Sequence, residues 1–537
     1  MRRVLRRLAC LALAVAATLF SPDTGAHGQN SAISASSAQA RAAHAYASAL
    51  KAGPLELRAF LEGFPKGSDL HMHLSGSIYA ETFLRDAGED GLCINAKTLS
   101  FAKPPCSDGL IPARELSGNI SAAAQVLYDQ LIDSFSMRGF VPTPGGTGHD
   151  QFFATFNRFS GLSKSHLGEW VDEVASLAAA QNVQYLELMQ TPPFSHAVEI
   201  ANAIGWNPAL ERGDREAFEH LRKELLERGL RDEVSRDRAQ VRQMEAERQR
   251  LEHCGTRQAA PACSVEIRYI YQVLRGYPPQ QVFAQTILGF ETAQASIEAG
   301  ESAGGFVGIN FVMPEDGYIA MRDYTLQMKM LDYLHSVYPR VHITLHAGEL
   351  APGMVPPAGL RFHIRQAIEL GHAERIGHGV DVMYETDPWG LIHEMARKHI
   401  MVEINLTSNA VILGIKGADH PFPIYLAAHV PVALSTDDEG VSRIDLTHEY
   451  VMAAEEYHLS YAQLKMLART GLEHAFLPGI SLWAREDDFT LPVAACRGQA
   501  LGGDRPSRAC RNFLDGSQKA EEQWELERRF RAFEANF

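Results

Sequence analysis

The sequence lacks several features that would direct its assignment elsewhere: it has no long apolar run beyond its N-terminus, no GxGxxG fingerprint, no CxxC pair and no internal repeat. A bilayer span needs about 20 apolar residues, so no membrane span is expected. Without the glycine fingerprint a dinucleotide-binding sheet has no support, and without CxxC a thiolate zinc site is disfavoured. Positive charge is also scarce, because 50 Lys and Arg face 65 Asp and Glu. We therefore expect no nucleic acid as partner.

The N-terminus carries the pattern of a secretory signal peptide. Four Arg residues within positions 2–7 precede an apolar run from Leu8 to Phe20, and small and polar residues follow. This order is that of an export signal, with cleavage expected near Ala26 or Gly28. We predict a signal peptide over residues 1–28 and an exported protein, either periplasmic or secreted. Its removal would take away four Arg and one Asp and shift the net charge from −15 to about −18.

The cysteines beyond this segment fall into three pairs that are local in the sequence. Each pair flanks a stretch with Gly, Pro or Ala that is typical of a loop, and the pairs are Cys93 with Cys106, Cys254 with Cys263, and Cys496 with Cys510. An even number of locally paired cysteines in an exported protein indicates disulfides. We predict three local disulfides, with six free or metal-binding thiols as the alternative.

Eight apolar runs rich in β-branched residues alternate with helix-like patterns. The runs cover residues 68–74, 183–190, 265–274, 306–313, 341–349, 375–380, 401–407 and 431–438. Strands that alternate with helices in this number predict an α/β fold, the (β/α)8 TIM barrel, and an open doubly wound sheet is the rival.

The remaining segments surround or interrupt this barrel. We place the barrel at residues 66–477, after a helical lead-in at 29–65 and before a C-terminal extension at 478–537 that ends in a helix. Residues 86–150 form a Gly/Pro-rich insertion. Residues 211–263 form a second insertion, whose charges alternate in sign and indicate a solvated helix or helical hairpin.

Side chains able to bind a metal or move a proton fall at the ends of four predicted strands. The first strand contributes two histidines in alternate positions, which therefore share one face. The full set is His71 and His73, His346 and Glu349, His378, and Asp437 and Asp438. The C-terminal ends of barrel strands meet at one rim, where function resides. Each residue alone could be a core histidine or a helix cap, but their common rim favours a site.

This set predicts a zinc site with one ion per chain. Three imidazoles and one carboxylate suit Zn²⁺, whereas Mg²⁺ or Ca²⁺ would require more carboxylates. The expected ligands are His71, His73, His346 and Asp437. Zinc lowers the pKa of a bound water towards neutrality and so supplies hydroxide. Glu349 and His378 then remain as proton-handling groups, and Asp438 is free to hold a substrate donor.

Four motifs in this order, "LHMHLSGS", "HAGE", "RIGHG" and "STDD", resemble the adenosine deaminases of the metal-dependent amidohydrolase superfamily. The resemblance covers most of residues 66–475. The stretches "FPKGSDLHMHL" and "TSNAVILGIKGADHP" are similar to the secreted, growth-factor-type members.

The resemblance implies a purine nucleoside as substrate and a role for each rim residue. The four zinc ligands would be those predicted above. Glu349 would protonate N1 of the purine, His378 would orient the zinc-bound hydroxide and help take up its proton, and Asp438 would hydrogen-bond N7. Asp437 would also contact the hydroxide. Attack at C6 would then release ammonia.

The sequence departs from the family pattern in the part that binds substrate. Ser75 replaces the acidic residue that follows the HxHL motif and faces the ribose. The run "NFVMPEDG" places Met313 where relatives have a glycine that approaches the purine, and Glu315, Asp316 or Gly317 are the alternatives for that position.

The expected reaction is the zinc-dependent deamination of adenosine or 2′-deoxyadenosine to inosine or 2′-deoxyinosine plus ammonia. Adenine, AMP or an N6-substituted adenosine is the alternative substrate. A secreted binding or signalling protein on the same scaffold is a further alternative, which the complete set of rim residues disfavours. A hydrolase with two metals bridged by a carboxylated lysine is disfavoured because the fourth strand has no lysine. The oligomeric state stays open, including a homo-oligomer.

Overall fold

The computed structural model describes residues 26–118, 120–301 and 304–537. All but the last three residues of the predicted signal peptide lie outside this part of the chain. Within it, none of the helices combines the length and the apolar character that crossing a bilayer requires.

Eight parallel strands form the centre of the molecule. In chain order the strands are β1 (Gly67–His73), β2 (Cys93–Asn95), β3 (Ser100–Ala102), β4 (Ile111–Pro112), β5 (Val183–Gln190), β6 (Glu266–Leu274), β7 (Phe306–Val312), β8 (His342–Ala347), β9 (Arg375–His378), β10 (Met401–Ile404) and β11 (Val432–Leu434). The large sheet has the order β1-β5-β6-β7-β8-β9-β10-β11. Asp437, just beyond β11, closes it against β1 through its N–H to His71 O (2.9 Å) and its carbonyl from His73 N (3.1 Å). The predicted (β/α)8 barrel is confirmed, and each predicted run contains one barrel strand.

The barrel strands are apolar because both of their faces are covered. Every residue of β1, β5 and β7 is buried, with side chains that fill the barrel on one face and pack against helices on the other. Parallel strands enclosed in this way show nearly continuous apolar runs rather than alternation. This is why the runs could be located in the sequence.

Helices connect the strands and extend the barrel at both ends of the chain. They are α1 (Ala26–Ala52), α2 (Pro54–Glu62), α3 (Ala80–Glu89), α4 (Ala122–Ser134), α5 (Gly148–Arg158), α6 (Leu167–Ala180), α7 (Ser195–Ile204), α8 (Arg215–Leu225), α9 (Arg231–Leu251), α10 (Pro279–Ala299), α11 (Tyr318–Val337), α12 (His363–Glu369), α13 (Pro388–Lys398), α14 (Leu406–Ile412), α15 (Phe422–Ala427), α16 (Glu439–Ser442), α17 (Leu446–Tyr457), α18 (Tyr461–His474), α19 (Arg508–Leu514) and α20 (Gln518–Glu534). The C-terminal α20 packs against α18 and α1.

The first insertion, after α3, brings aromatic side chains to the rim. It contains the antiparallel sheet β3-β2-β4 and helices α4 and α5. A capping box fixes the start of α5: the Thr147 hydroxyl accepts from Asp150 N, and the Asp150 carboxylate accepts from Thr147 N. α5 packs against α14, which follows barrel strand β10.

The second insertion is helical, as its charge pattern indicates, but one face of it is buried. Helix α9 packs against α6 and α10. Tyr269 and Tyr271 of β6 donate hydrogen bonds to Glu245 (2.8 Å) and Asp237 (3.2 Å) of α9. Arg248 is also buried, with its Nε 2.9 Å from Glu245. The expectation of a merely solvated helix is therefore wrong for this face, because hydrogen bonds from β6 and an ion pair within α9 satisfy side chains that the sequence pattern assigns to solvent.

The three predicted disulfides are confirmed. They join Cys93 to Cys106, Cys254 to Cys263, and Cys496 to Cys510, with Cα–Cα distances of 5.4, 5.5 and 4.7 Å. Each closes a short loop outside the barrel strands.

Candidate active site

The four predicted zinc ligands converge at the C-terminal rim of the barrel. The Nε2 atom of His346 lies 3.1 Å from Nε2 of His71 and 3.2 Å from Nε2 of His73. The Oδ1 atom of Asp437 lies 3.1 Å from His73 Nε2 and 3.5 Å from His71 Nε2. All four residues are buried. The strands β1 and β8 and the end of β11 thus aim four donor atoms at one point.

Hydrogen bonds behind the imidazoles fix which nitrogen faces this point. His71 Nδ1 lies 2.6 Å from Glu403 Oε2, and His346 Nδ1 lies 2.7 Å from Asn310 Oδ1. Because both partners accept, each Nδ1 carries the proton and each Nε2 presents a lone pair. Arg375 holds Glu403 in place through a 2.7 Å bond to its other oxygen.

This donor set fits a zinc ion. Two imidazole lone pairs that face each other at 3.1 Å repel unless a cation lies between them. Ligands at about 2.1 Å from a tetrahedral zinc are about 3.4 Å from one another, close to the separations found here. A ligand imidazole whose second nitrogen donates to a carboxylate or amide oxygen, as in His71 and His346, is typical of zinc sites.

Glu349 and His378 lie beside the ligand cluster. His378 Nε2 is 3.9 Å from Glu349 Oε1 and 3.9 Å from Asp437 Oδ2. Burial raises the pKa of Glu349 well above its ordinary value, and the charge of Asp437 raises it further. Both effects favour the protonated form of Glu349. Glu315 positions it, because its carboxylate accepts from Gly348 N (3.0 Å) and Glu349 N (2.8 Å).

Asp438 lies next to the ligand Asp437, against the chain that follows β1. A Cβ atom at Gly76 would lie only 1.4 Å from Asp438 Oδ1, so a larger residue cannot occupy this position without moving the carboxylate. Burial raises the pKa of Asp438 well above its ordinary value. Asp438 Oδ1 is buried with no hydrogen-bond partner among the described residues. In its protonated form, which burial favours, Asp438 can donate a hydrogen bond to a bound ligand.

Three residues of the rim have left-handed backbones. The φ angles are +70° at His378, +63° at Asp437 and +90° at Met313. Non-glycine residues rarely adopt such angles, and they do so most often where function requires a particular side-chain direction. The turns at the ends of β7, β9 and β11 therefore direct these side chains at the expense of local strain.

A cavity of about 500 Å³ opens above the ligand cluster. Its floor is formed by three of the ligands, His73, His346 and Asp437, together with Glu349 and Asp438. Its wall is formed by the aromatic side chains Phe152, Phe153 and Phe156 of α5. A cavity of this size is in the range of small-molecule sites.

Ser75 and Met313, the two predicted substrate-binding residues at which the sequence departs from the family pattern, both line this cavity. Ser75 is exposed at its edge, and Met313 lies on its wall with 38% of its surface exposed. The alternatives to Met313 are not part of the lining. Glu315 holds the backbone before Glu349, and Asp316 hydrogen-bonds His149 of α5 at 3.0 Å.

Sequence reasoning missed the residues that hold the site from behind and those that cover it. Glu403 and Asn310 are buried polar residues within apolar strands. A single polar residue in an apolar strand was the only sign in the sequence that they support the site. The aromatic residues of α5 lie about 80 positions from His73 and over 150 from Glu349, and no local pattern connects them to the rim. Their place becomes evident only once α5 packs on α14.

Known proteins resemble this chain in sequence and in fold. The adenosine deaminase of Salmonella heidelberg strain SL476 is 41% identical over 137 residues, which are 25% of this chain and 38% of that relative. The chain thus matches less than half the length of this curated relative. The apo N6-methyl-AMP deaminase of Arabidopsis thaliana is 22% identical at a TM-score of 0.48, over 78% of this chain and 94% of that one. An amidohydrolase from Burkhoderia ambifaria, solved with bound Zn, is 18% identical at a TM-score of 0.49, over 78% and 88%.

The family model described as adenosine deaminase matches residues 163–481, more than half of the chain. The match includes His346, Glu349, His378, Asp437 and Asp438. His71 and His73 precede it in the sequence, and the fold brings them to the same point. The chain belongs to the adenosine deaminase family.

Proposed function

We propose that this protein is a zinc-dependent hydrolase that deaminates adenosine or 2′-deoxyadenosine to the inosine nucleoside and ammonia. The observation that carries the proposal is that Glu349, whose protonated form burial favours, lies beside a four-donor metal cluster at the floor of one cavity. A proton donor next to a source of hydroxide is what the replacement of an amino group on an electron-poor ring requires.

The side chains of the site divide the work. Glu349 gives its proton to N1 of the purine, which draws electrons from C6 and opens it to attack. Asp438, whose protonated form burial favours, donates to N7 and holds the base in the plane that N1 requires. A zinc ion bound by the four ligands would lower the pKa of a water ligand towards neutrality. Addition of water at C6 and loss of ammonia would then give the 6-oxopurine.

The absence of Lys and Arg from the cavity lining favours a nucleoside over a nucleotide. None of the side chains that line it is Lys or Arg, whereas Glu349, Asp437 and Asp438 all face it. A phosphate group is usually held by cationic side chains or a helix N-terminus. AMP is therefore the disfavoured substrate, and free adenine would leave much of the cavity without contacts.

We also propose that the protein is exported. Two features support this: the signal-peptide pattern of residues 1–28 and the three local disulfides. Disulfides persist in oxidising compartments such as the periplasm or the extracellular space.

The test follows the absorbance of the 6-aminopurine with adenosine, 2′-deoxyadenosine, adenine, AMP and an N6-methylated adenosine. We expect turnover of the two nucleosides and little of AMP. Glu349→Gln removes the transferable proton and should lower kcat by at least about 10³-fold. Glu522→Gln is the matched control, since Glu522 is a largely buried carboxyl that bonds Gln184 at the opposite end of the barrel.

A protein that binds zinc but turns over none of these purines would refute the proposed function. Equal rates for Glu349→Gln and Glu522→Gln would refute the role of Glu349. A preference for AMP would contradict the argument from the charges of the cavity.

A further inference from the structure

A chain of buried hydrogen bonds leads from the backbone of α15 to His378. Phe422 N lies 3.1 Å from His420 Nδ1, and His420 Nε2 lies 3.1 Å from Asn409 Oδ1. Asn409 Nδ2 lies 2.9 Å from His378 Nδ1. All three side chains are at most 2% exposed. The chain joins α14, α15 and the end of β9, and the mechanism above does not use it.

The backbone N–H at its origin gives this chain a direction. A backbone N–H can only donate, so His420 Nδ1 must accept. Burial lowers the pKa of His420 to about 4, so the ring is neutral near pH 7 and its single proton lies on Nε2. That proton is donated to Asn409 Oδ1. The amide of Asn409 therefore turns its NH₂ group, also a donor, towards His378.

His378 is thereby left with one favourable tautomer. Its Nδ1 accepts from Asn409 and, at the longer distance of 3.4 Å, from the Nδ2 atom of Asn405. A neutral imidazole that accepts at Nδ1 carries its proton on Nε2. Nε2 is buried, has no hydrogen-bond partner among the described residues, and faces the side of the cavity where Glu349 and Asp437 lie.

We propose that Asn409 and His420 are positioning residues that hold His378 as a hydrogen-bond donor, with Nε2–H aimed at the oxygen that adds to C6. In this role His378 orients and stabilises that oxygen but does not take up its proton, which leaves with the amino group as ammonia. The inference rests on the proposed function for the identity of the ligand. It departs from the proton-accepting role that the family resemblance implies for His378.

Acceptance of a proton by His378 would disrupt the whole chain. A second ring proton would have to lie on Nδ1, opposite the NH₂ group of Asn409. Rotation of that amide would turn its NH₂ group towards His420 Nε2–H, and reversal of the His420 tautomer would set Nδ1–H against the backbone N–H of Phe422. Each adjustment creates a buried donor–donor contact, which is unfavourable because both N–H groups lose their acceptors.

The decisive measurement is the tautomer of His378 in the zinc-loaded protein. Long-range ¹H–¹⁵N correlation spectra of protein labelled at histidine distinguish Nε2–H, Nδ1–H and the imidazolium, and a His378→Gln sample assigns the signals. We expect Nε2–H throughout about pH 6–8, where a free histidine changes its charge. An Nδ1–H or imidazolium signal in that range overturns the proposal, and this result requires no substituted chain.

Asn409→Asp reverses the direction of the last link. Its carboxylate accepts where the amide donates, so His378 should shift to Nδ1–H or become charged. We expect kcat for adenosine to fall about 100-fold while KM changes less than about threefold. The reason is that the substitution weakens the stabilisation of the reacting oxygen and not the binding of substrate. Asn202→Asp, the same change at an exposed position of α7, should match the parent protein.

Substitutions at His420 separate positioning from packing. His420→Gln retains an N–H that can reach Asn409, and His420→Leu retains bulk without a donor. We expect His420→Gln to preserve the His378 tautomer and to retain a larger part of kcat than His420→Leu does. The inference would be overturned if both His420 variants lost kcat equally while the His378 tautomer stayed unchanged. It would also be overturned if Asn409→Asp left both the tautomer and kcat unchanged. If the parent protein deaminates no nucleoside, the proposed function fails, yet the tautomer still decides this inference.

Discussion

At the scale of the residue, the site depends on how closely the backbone of β9 approaches a metal ligand. A Cβ atom at Gly377 would lie 2.5 Å from Cε1 and 2.8 Å from Nδ1 of His71. That Nδ1 also donates the hydrogen bond to Glu403 that fixes the ring. Both the position and the tautomer of His71 therefore require a glycine at residue 377.

The substitution Gly377→Ala should weaken zinc binding by about 10- to 100-fold, the effect usual for the loss of a partner behind a ligand. Competition with a chromophoric chelator measures this affinity. Gly145→Ala is the control, because a Cβ atom there would meet nothing within 4 Å. Equal zinc affinities for the two variants would show that His71 is not held in this way.

At the scale of the element, helix α5 covers the site although it neither directly follows nor directly precedes a barrel strand. Its Phe152, Phe153 and Phe156 line the cavity, and His149 bonds Asp316 of the β7–α11 loop at 3.0 Å. Aromatic contacts to a bound substrate would contribute equally to the ground state and to the transition state. We therefore assign this helix to substrate affinity and not to chemistry.

Accordingly, Phe156→Ala should raise KM for adenosine about 10-fold and leave kcat nearly unchanged, because an aromatic contact is lost equally in ground and transition states. Steady-state kinetics of the purified variant provides the check. Tyr318→Ala, at an aromatic residue that is 78% exposed and outside the lining, should behave as the parent protein does. A fall in kcat with constant KM would place Phe156 in the chemical step instead.

Elements were predictable from the sequence where one local cause shapes them. Strands such as β7 are apolar because they are buried on both faces, and His71 and His73 share a face because a strand repeats every two residues. The contact of α5 with α14 and the bond from Glu403 to His71 join segments far apart in the chain. No periodicity records such contacts, so the cover and the support of the site were found only in the structure.

At the scale of the whole molecule, the second insertion is joined to the barrel through a buried carboxyl. Asp237 of α9 accepts from Tyr271 of β6, and burial raises the pKa of Asp237 to about 8. The folded protein therefore retains a proton on Asp237 between about pH 4 and 8, where the unfolded chain has lost it. Because the folded state binds more protons there, this group makes stability fall as pH rises through that range.

Asp237→Asn removes this dependence, since an amide does not titrate. The free energy of unfolding of Asp237→Asn, relative to the parent protein, should rise with pH by up to about 1.4 kcal/mol per unit between about pH 4 and 8, and then level off. Urea unfolding at a series of pH values measures the difference. Asp232→Asn, at an exposed acid of the same helix, should show no comparable slope. A difference that is constant with pH would mean that Asp237 is ionised in the folded state.

The central claim is that one zinc ion, held by His71, His73, His346 and Asp437, makes this chain a deaminase. The most direct measurement is titration of the metal-free protein with Zn²⁺ while adenosine deamination and bound metal are recorded in the same samples. The account predicts no activity at the start, a linear rise, and a plateau at one zinc per chain. Full activity without metal, or zinc bound at one per chain with no deamination, would contradict it.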